Sequence, residues 1–205
     1  MKLRSLSVFA VVGALGLTAC GSDKAVSPAA SPAAAAPATQ TPAATTATGA
    51  AFNDADVTFA QGMIPHHAQA IEMADIALET KVGASQQVRD LATRIKSGQD
   101  PEIQLMTGWL TAWGQPVEAN MGSGHDMASM DGMMSAAEMD TLGTMTAADF
   151  DKMWSEMMIR HHQGAIAMAQ TVKAAGSSPD VLALADQVII AQQAEITEMQ
   201  ALLGA

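Results

Sequence analysis

Phe59-Ala60-Gln61-Gly62-Met63-Ile64-Pro65-His66-His67 is answered later in the chain by Trp154-Ser155-Glu156-Met157-Met158-Ile159-Arg160-His161-His162. Each copy continues alike, with Ala70-Ile71 and Met73-Ala74 in the first and Ala165-Ile166 and Met168-Ala169 in the second. Further on, Gln99, Glu102-Ile103, Met106 and Leu110 match Gln192, Glu195-Ile196, Met199 and Leu203. The offset is 95 residues through the histidine doublets and 93 beyond them, so one loop of the second copy is two residues shorter. Four of the chain's five histidines lie in the doublets. Paired imidazoles and thioethers on matching elements point to a metal site built twice.

The repeat predicts the architecture. Each copy reads as a helical hairpin. The first helix spans Asp54 to Thr80 and ends near Gly83; the second spans Ser85 to Trp113, before Gly114-Gln115-Pro116. The third starts near Ala147 and fades at Gly176. The fourth follows Ser178, with Pro179 in its first turn, and runs to Leu203. Alternating strand patterns are absent. Two hairpins that each expose an apolar stripe bury them together, which predicts an all-α, antiparallel four-helix bundle with a pseudo-twofold axis. The bundle domain is 53–205, with repeats 54–113 and 147–203 and a connector at 114–146.

At about 100° per residue, Phe59, Met63, His66, His67, Ala70 and Met73 share one inward face about 120° wide. Trp154, Met158, His161, His162, Ala165 and Met168 repeat it. On the second helix Ile95, Gln99, Glu102, Met106 and Trp109 form a stripe, and on the fourth Val188, Gln192, Glu195, Met199 and Leu202. Gln99, Glu102, Gln192 and Glu195 thus sit among apolar neighbours and need partners. A histidine N–H on the adjacent helix is the natural one, and such a contact would also orient a metal-bound ring.

Thioether sulfur is soft and favours Cu(I), and imidazole suits copper, zinc and iron. A di-iron bundle needs several carboxylates, whereas the matched stripes supply one each. Glu72 has Ala167 as its counterpart. Asp56 and Asp151 match, but lie roughly 15 Å along the helix from the doublets. Copper, chiefly Cu(I), is therefore the expected ion, ahead of iron or zinc. Pro65 should kink the first helix beside the site, and Arg160 at the matching place should not.

The connector holds seven of the 16 methionines, among Gly122, Gly124 and Gly132. It offers no obvious reason to pack. His125, Met127, Met130, Met133 and Met134 are candidate auxiliary ligands that would recruit or hand on ions.

The ends predict an exported, anchored protein. Residues 1–19 have a basic start at Lys2 and Arg4, an apolar run from Val8 to Leu17, and the cleavage-site pattern Leu17-Thr18-Ala19-Cys20 of a bacterial lipoprotein signal. Lipid on Cys20, the sole cysteine, would hold the protein at a membrane surface without spanning it. That places it on the outer face of the cytoplasmic membrane or in the periplasm. Residues 20–52, rich in Ala, Pro and Thr, read as a disordered tether. Loss of the leader takes the basic count from 10 to 8 against 21 acidic side chains. So acidic a surface argues against nucleic acid and against a polybasic membrane grip. The expected partners are metal ions, with a second copy or a copper-handling protein left open.

The doubled Met-Ile-x-His-His, then Ala-Ile-x-Met-Ala, then Gln-x-x-Glu-Ile-x-x-Met resembles the bacterial family catalogued as domain of unknown function 305, over about Asp54 to Leu203. The resemblance implies a ferritin-like bundle, export or lipid anchoring, a Met-rich insert between halves and, in some members, copper binding and tolerance. It assigns Met63, His66, His67, Met73 and Met106 to a first site and Met158, His161, His162, Met168 and Met199 to a second. Gly62 against Met157 and Glu72 against Ala167 depart from strict duplication. The leading expectation is thus a non-catalytic copper-binding protein for capture, buffering or tolerance. Its rivals are a ferritin-like oxidase or peroxidase using paired metals, and a metal-free bundle whose histidines only satisfy buried carboxylates.

Overall fold

Capping side chains set the starts of the long helices other than the one at Ala147–Ala175, whose Thr146 makes no side-chain cap. The computed structural model describes residues 51–118 and 131–204; the leader, Cys20, the tether up to residue 50, and Met121, His125, Met127 and Met130 lie outside the described residues. Asn53 opens α1 (Asp54–Leu78) with a reciprocal box: its side chain accepts from the Ala55 and Asp56 N–H groups, and its own N–H donates to Asp56. Ser85 caps α2 (Gln86–Ala112) through the Val88 N–H. Ser178 does the same for α5 (Pro179–Leu203), where Pro179 occupies a first-turn position that needs no N–H donor. Between them runs α4 (Ala147–Ala175). α1 stops two residues earlier than its pattern predicts, and a short 3-10 turn at Thr80–Val82 leads to Gly83 at φ 62°, the left-handed region glycine tolerates.

The described residues form helices and no strands, as the pattern predicts. α1 packs along α2, α4 along α5, and the hairpins meet chiefly through α1 against α4. Two matched carboxylates clamp that meeting. Asp56, fully buried on α1, accepts from the Ser177 and Ser178 N–H groups at the start of α5, at 3.0 and 3.1 Å. Asp151 on α4 accepts from the Ser85 N–H at the start of α2, at 3.1 Å. The two clamps relate positions that the repeat makes equivalent. They also run α1 and α4 antiparallel, as does the Trp154 indole N–H, which donates to the Met73 carbonyl at 3.0 Å.

The connector corrects an expectation. Its second part has a clear packing reason: Met133, Met134, Met139 and Leu142 are buried, and α3 (Ala136–Leu142) forms where the sequence pattern placed no helix. Ser135 and Glu138 form a capping box there, and the Ser135 N–H and Arg160 hold the Glu138 carboxyl down at about 2. The Arg160 guanidinium lies against the Met134 sulfur. Met133 and Met134 are thus core side chains as well as candidate ligands.

Before α3, residues 131–134 form a strap across the seam between α1 and α4. Gln69 on α1 pins it from both sides, accepting from the Met134 N–H at 2.7 Å and donating to the Met134 carbonyl at 2.9 Å. On α4 the equivalent position is Gly164. A Cβ there would stand 2.0 Å from the Asp131 carbonyl oxygen, so the strap crosses only because the side chain is missing. Gly132, at φ 84°, faces the Arg160 carbonyl, which a Cβ there would meet at 2.6 Å. Gly164→Ala is therefore expected to lower stability by about 1–3 kcal/mol, although alanine is the better helix former. Urea unfolding monitored by circular dichroism measures this, and a gain in stability would refute the tight crossing.

Candidate metal centre

Each long helix changes character at its middle. On α1 the doublet His66-His67 separates Phe59, Ala60 and Met63 from Ala70, Met73, Ala74 and Ala77, and these two groups belong to different apolar clusters. On α4 His161-His162 divides Trp154 and Met158 from Ala165 and Ala169 in the same way. Gln99 and Glu102 interrupt α2, and Gln192 and Glu195 interrupt α5. The fold thus stacks these eight polar side chains as one layer between two apolar ones. Both doublets converge on it, with the His66 and His161 rings only 3.8 Å apart between centroids.

All four histidines are completely buried. The His67 Nε2–H donates to Glu102 at 2.6 Å, and the His162 Nε2–H to Glu195 at 2.7 Å. Each carboxylate keeps about a fifth of its surface exposed. The His66 Nε2–H donates to the Asp131 carbonyl of the strap at 3.3 Å. Carboxylate and carbonyl oxygens only accept, so these three rings carry a proton on Nε2 and, in the neutral form, present a lone pair at Nδ1. Nδ1 of His66, His67 and His162, and both ring nitrogens of His161, have no hydrogen-bond partner among protein atoms. An unpartnered buried polar atom costs about 1–3 kcal/mol. One of the two His161 nitrogens carries its N–H, so the layer offers four lone pairs, one from each neutral ring, which is what a set reserved for an ion would look like.

Burial disfavours the charged form of His66 and His161. It is the main cause that pushes His66 down to about 3, with the neighbouring His67 adding to it and the Asp131 carbonyl opposing. His161 lies well below its ordinary value for the same reason, helped by His66, His162 and His67. A neutral imidazole is the form that binds a metal.

The thioethers sort differently from the sequence repeats. Met73 of the first repeat joins Met158 and Met199 of the second in one apolar cluster, all fully buried. Met63 and Met106 of the first lie in the other, where Met168 packs partly buried. The thioethers thus group across the repeats, whereas the resemblance implies one set per repeat. Because α1 and α4 are antiparallel, residues after one doublet lie beside residues before the other. The two trios remain equivalent under the repeat. Among the described residues, no three His, Cys, Asp or Glu side chains gather in metal-holding geometry. A site drawn from this layer therefore needs sulfur from a trio beside the imidazoles.

Sequence reasoning missed the strap. Nothing marks the Asp131 carbonyl as a partner for His66. Gly164 inside an otherwise helical pattern was the available signal, since a mid-helix glycine marks a close approach.

A family model described as domain of unknown function (DUF305) matches residues 56–203, and the chain belongs to that family. Solved structures agree. A DUF305 fragment from Deinococcus radiodurans is 35% identical, with 74% of this chain and 97% of that one covered, at a TM-score of 0.65. A candidate secreted DUF305 protein from Streptomyces coelicolor is 31% identical, with 73% and 91% covered, at 0.66. CopM in its Cu(II)-bound form is 36% identical, with 73% and 95% covered, at 0.62; CopM is also solved with Cu(I), with silver and in the apo form. No curated protein matches the sequence.

The depressed histidines set a pH dependence for the metal-free protein. Their folded values lie below the unfolded value of about 6.5, so the unfolded chain binds more protons in acid. Stability is expected to be full above about pH 6.5 and to fall by about 1.4 kcal/mol per pH unit for each such histidine down towards pH 3. Thermal melts of apoprotein between pH 7.5 and 4 test this; a flat profile would show that the rings are not buried neutral.

Proposed function

We propose that this DUF305 protein is an exported copper-binding protein that captures and buffers copper, chiefly as Cu(I), outside the cytoplasmic membrane. The observation that carries the reading is the buried layer of imidazoles with unpartnered nitrogens, flanked above and below by equivalent methionine trios. Nitrogen and thioether donors in a dry setting suit a soft monovalent ion. His66, His67, His161 and His162 would supply nitrogen. Met73, Met158 and Met199 on one side, and Met63, Met106 and Met168 on the other, would supply sulfur. Glu102 and Glu195 would orient His67 and His162 as ligands. Copper and silver bound to CopM, a relative of similar fold, support the same chemistry.

Export is supported by the leader pattern at residues 1–19 and by the Streptomyces coelicolor relative. Anchoring through lipid on Cys20 belongs to the same proposal. No helix among the described residues is long and apolar enough to cross a membrane. A purely packing role for the histidines is disfavoured, because it would bury five ring nitrogens with no gain to offset them. Paired-metal oxidase chemistry is disfavoured too, because the layer's two carboxylates are each held by an imidazole.

An anaerobic Cu(I) titration against a competing chelator, repeated with Zn(II) and Fe(II), tests the reading. Tight Cu(I) binding with weaker zinc and iron is expected, and His67→Gln with His162→Gln should lower it markedly. Unchanged copper stoichiometry in that double variant would overturn the histidine site, and no Cu(I) binding by the parent chain would return the molecule to a metal-free bundle. Sulfur is probed separately. Methionine to leucine conserves volume and costs less than about 1.5 kcal/mol. Met63→Leu with Met106→Leu, or Met158→Leu with Met199→Leu, should therefore fold, yet weaken Cu(I) binding at least tenfold while leaving Zn(II) unaffected.

A further inference from the structure

The imidazole layer is closed on one side and open on the other. On the α1–α4 side the strap lies over it, with the Asp131 carbonyl on His66 and its backbone wedged against Gly164. On the side where α2 faces α5 there is instead a cavity of about 40 Å³. Gln99, Glu102, Gln192 and Glu195 line it together with Gly98 and Ala191. Small residues at those last two positions keep it open. The four polar side chains are pairwise equivalent under the repeat, so the cavity follows the molecule's own pseudo-symmetry.

Gln99 is only 4% exposed and neither its carboxamide oxygen nor its nitrogen has a protein partner. Gln192 is 3% exposed and its oxygen is likewise unpartnered. Buried amides are otherwise hydrogen-bonded, and burying two without partners beside two carboxylates is costly. Glu102 and Glu195 span the distance inward: each retains exposed surface while one oxygen accepts from a buried ring. Oxygen atoms from two carboxylates and two carboxamides make a hard donor set, unlike the soft set deeper in. The volume admits a single ion or one or two waters.

We propose that this cavity is a divalent-cation subsite at the entrance to the imidazole layer, in which Glu102, Glu195 and the Gln99 and Gln192 carboxamide oxygens take the ion. An ion held there sits against the far side of the carboxylates that grip His67 and His162, which makes it a staging point for passage inward. The onward passage rests on the copper reading; the subsite itself does not.

Mn(II) is the probe, because it prefers oxygen and ignores thioethers. Free Mn(II) is followed by its electron paramagnetic resonance signal during titration of the full chain, without copper. One Mn(II) per chain is expected, weakened at least tenfold by Glu102→Gln with Glu195→Gln. Gln99→Leu with Gln192→Leu, which fills the cavity with apolar side chains, should weaken it equally while melting no lower than the parent. The same leucine pair should slow Cu(II) uptake from a chelator at least tenfold, since a divalent ion is the form this oxygen set takes. An unaltered Mn(II) signal with the parent chain, or equal binding by the leucine pair, overturns the subsite. Mn(II) binding without any Cu(I) binding supports the subsite and overturns the copper reading alone. Normal uptake rates in a leucine pair that has lost Mn(II) support the subsite and overturn the passage.

Discussion

Burying four histidines in the middle of a helical protein is the constraint on which the rest of this structure depends. An imidazole inside an apolar core must stay neutral and must find acceptors for its N–H groups. Glu102 and Glu195 meet that need for His67 and His162, and the strap's Asp131 carbonyl meets it for His66. Each acceptor comes from a different element, so the layer fixes how α2, α5 and the connector sit against α1 and α4. The pairing leaves the opposite nitrogens free, and those free nitrogens are the chemistry that the fold has to offer.

The two apolar layers then follow from helix direction. Antiparallel α1 and α4 carry the residues that precede one doublet to those that follow the other. The clamps made by Asp56 and Asp151 hold this arrangement at both ends, and Gly176 makes room for one of them: a Cβ there would meet the Asp56 carboxylate at 2.5 Å. The symmetry is broken at two prolines. Pro65 precedes His66 and Pro101 precedes Glu102, whereas Arg160 and Ala194 stand at the equivalent places. Both helices run through their prolines. Each proline removes one backbone hydrogen bond next to a residue of the polar layer, so the half of the layer supplied by the first repeat has the less constrained backbone.

Much of this was legible in the sequence, because it rests on periodicity. The helices, the hairpins and the inward direction of His66, His67, His161 and His162 follow from spacing alone. So does the meeting of Glu102 and Glu195 with histidines of a neighbouring helix, since polar groups on apolar stripes must find one another; which ring each one takes is set by the fold. Asp56 and Asp151 were visible as a matched pair too distant from the doublets to hold their metal, but nothing in the spacing showed that each caps the turn of the other hairpin. What periodicity could not carry were the non-local events. The regrouping of Met73 with Met158 and Met199 needs the mutual direction of two helices. The strap needs a backbone carbonyl, which has no side-chain signature. The fold of Met133, Met134 and Met139 onto the core was hidden because methionine suits a flexible loop, a core gap and a soft metal equally well.

Neither hairpin owns a complete methionine trio, and neither has both faces of the imidazole layer. As separate chains the halves would have to find each other by diffusion, and their assembly would weaken with every dilution. Joined through one connector they meet at an effective concentration on the order of millimolar. The layer therefore assembles to the same extent however sparse the molecules are, which suits a protein expected to work outside the cell's crowded interior.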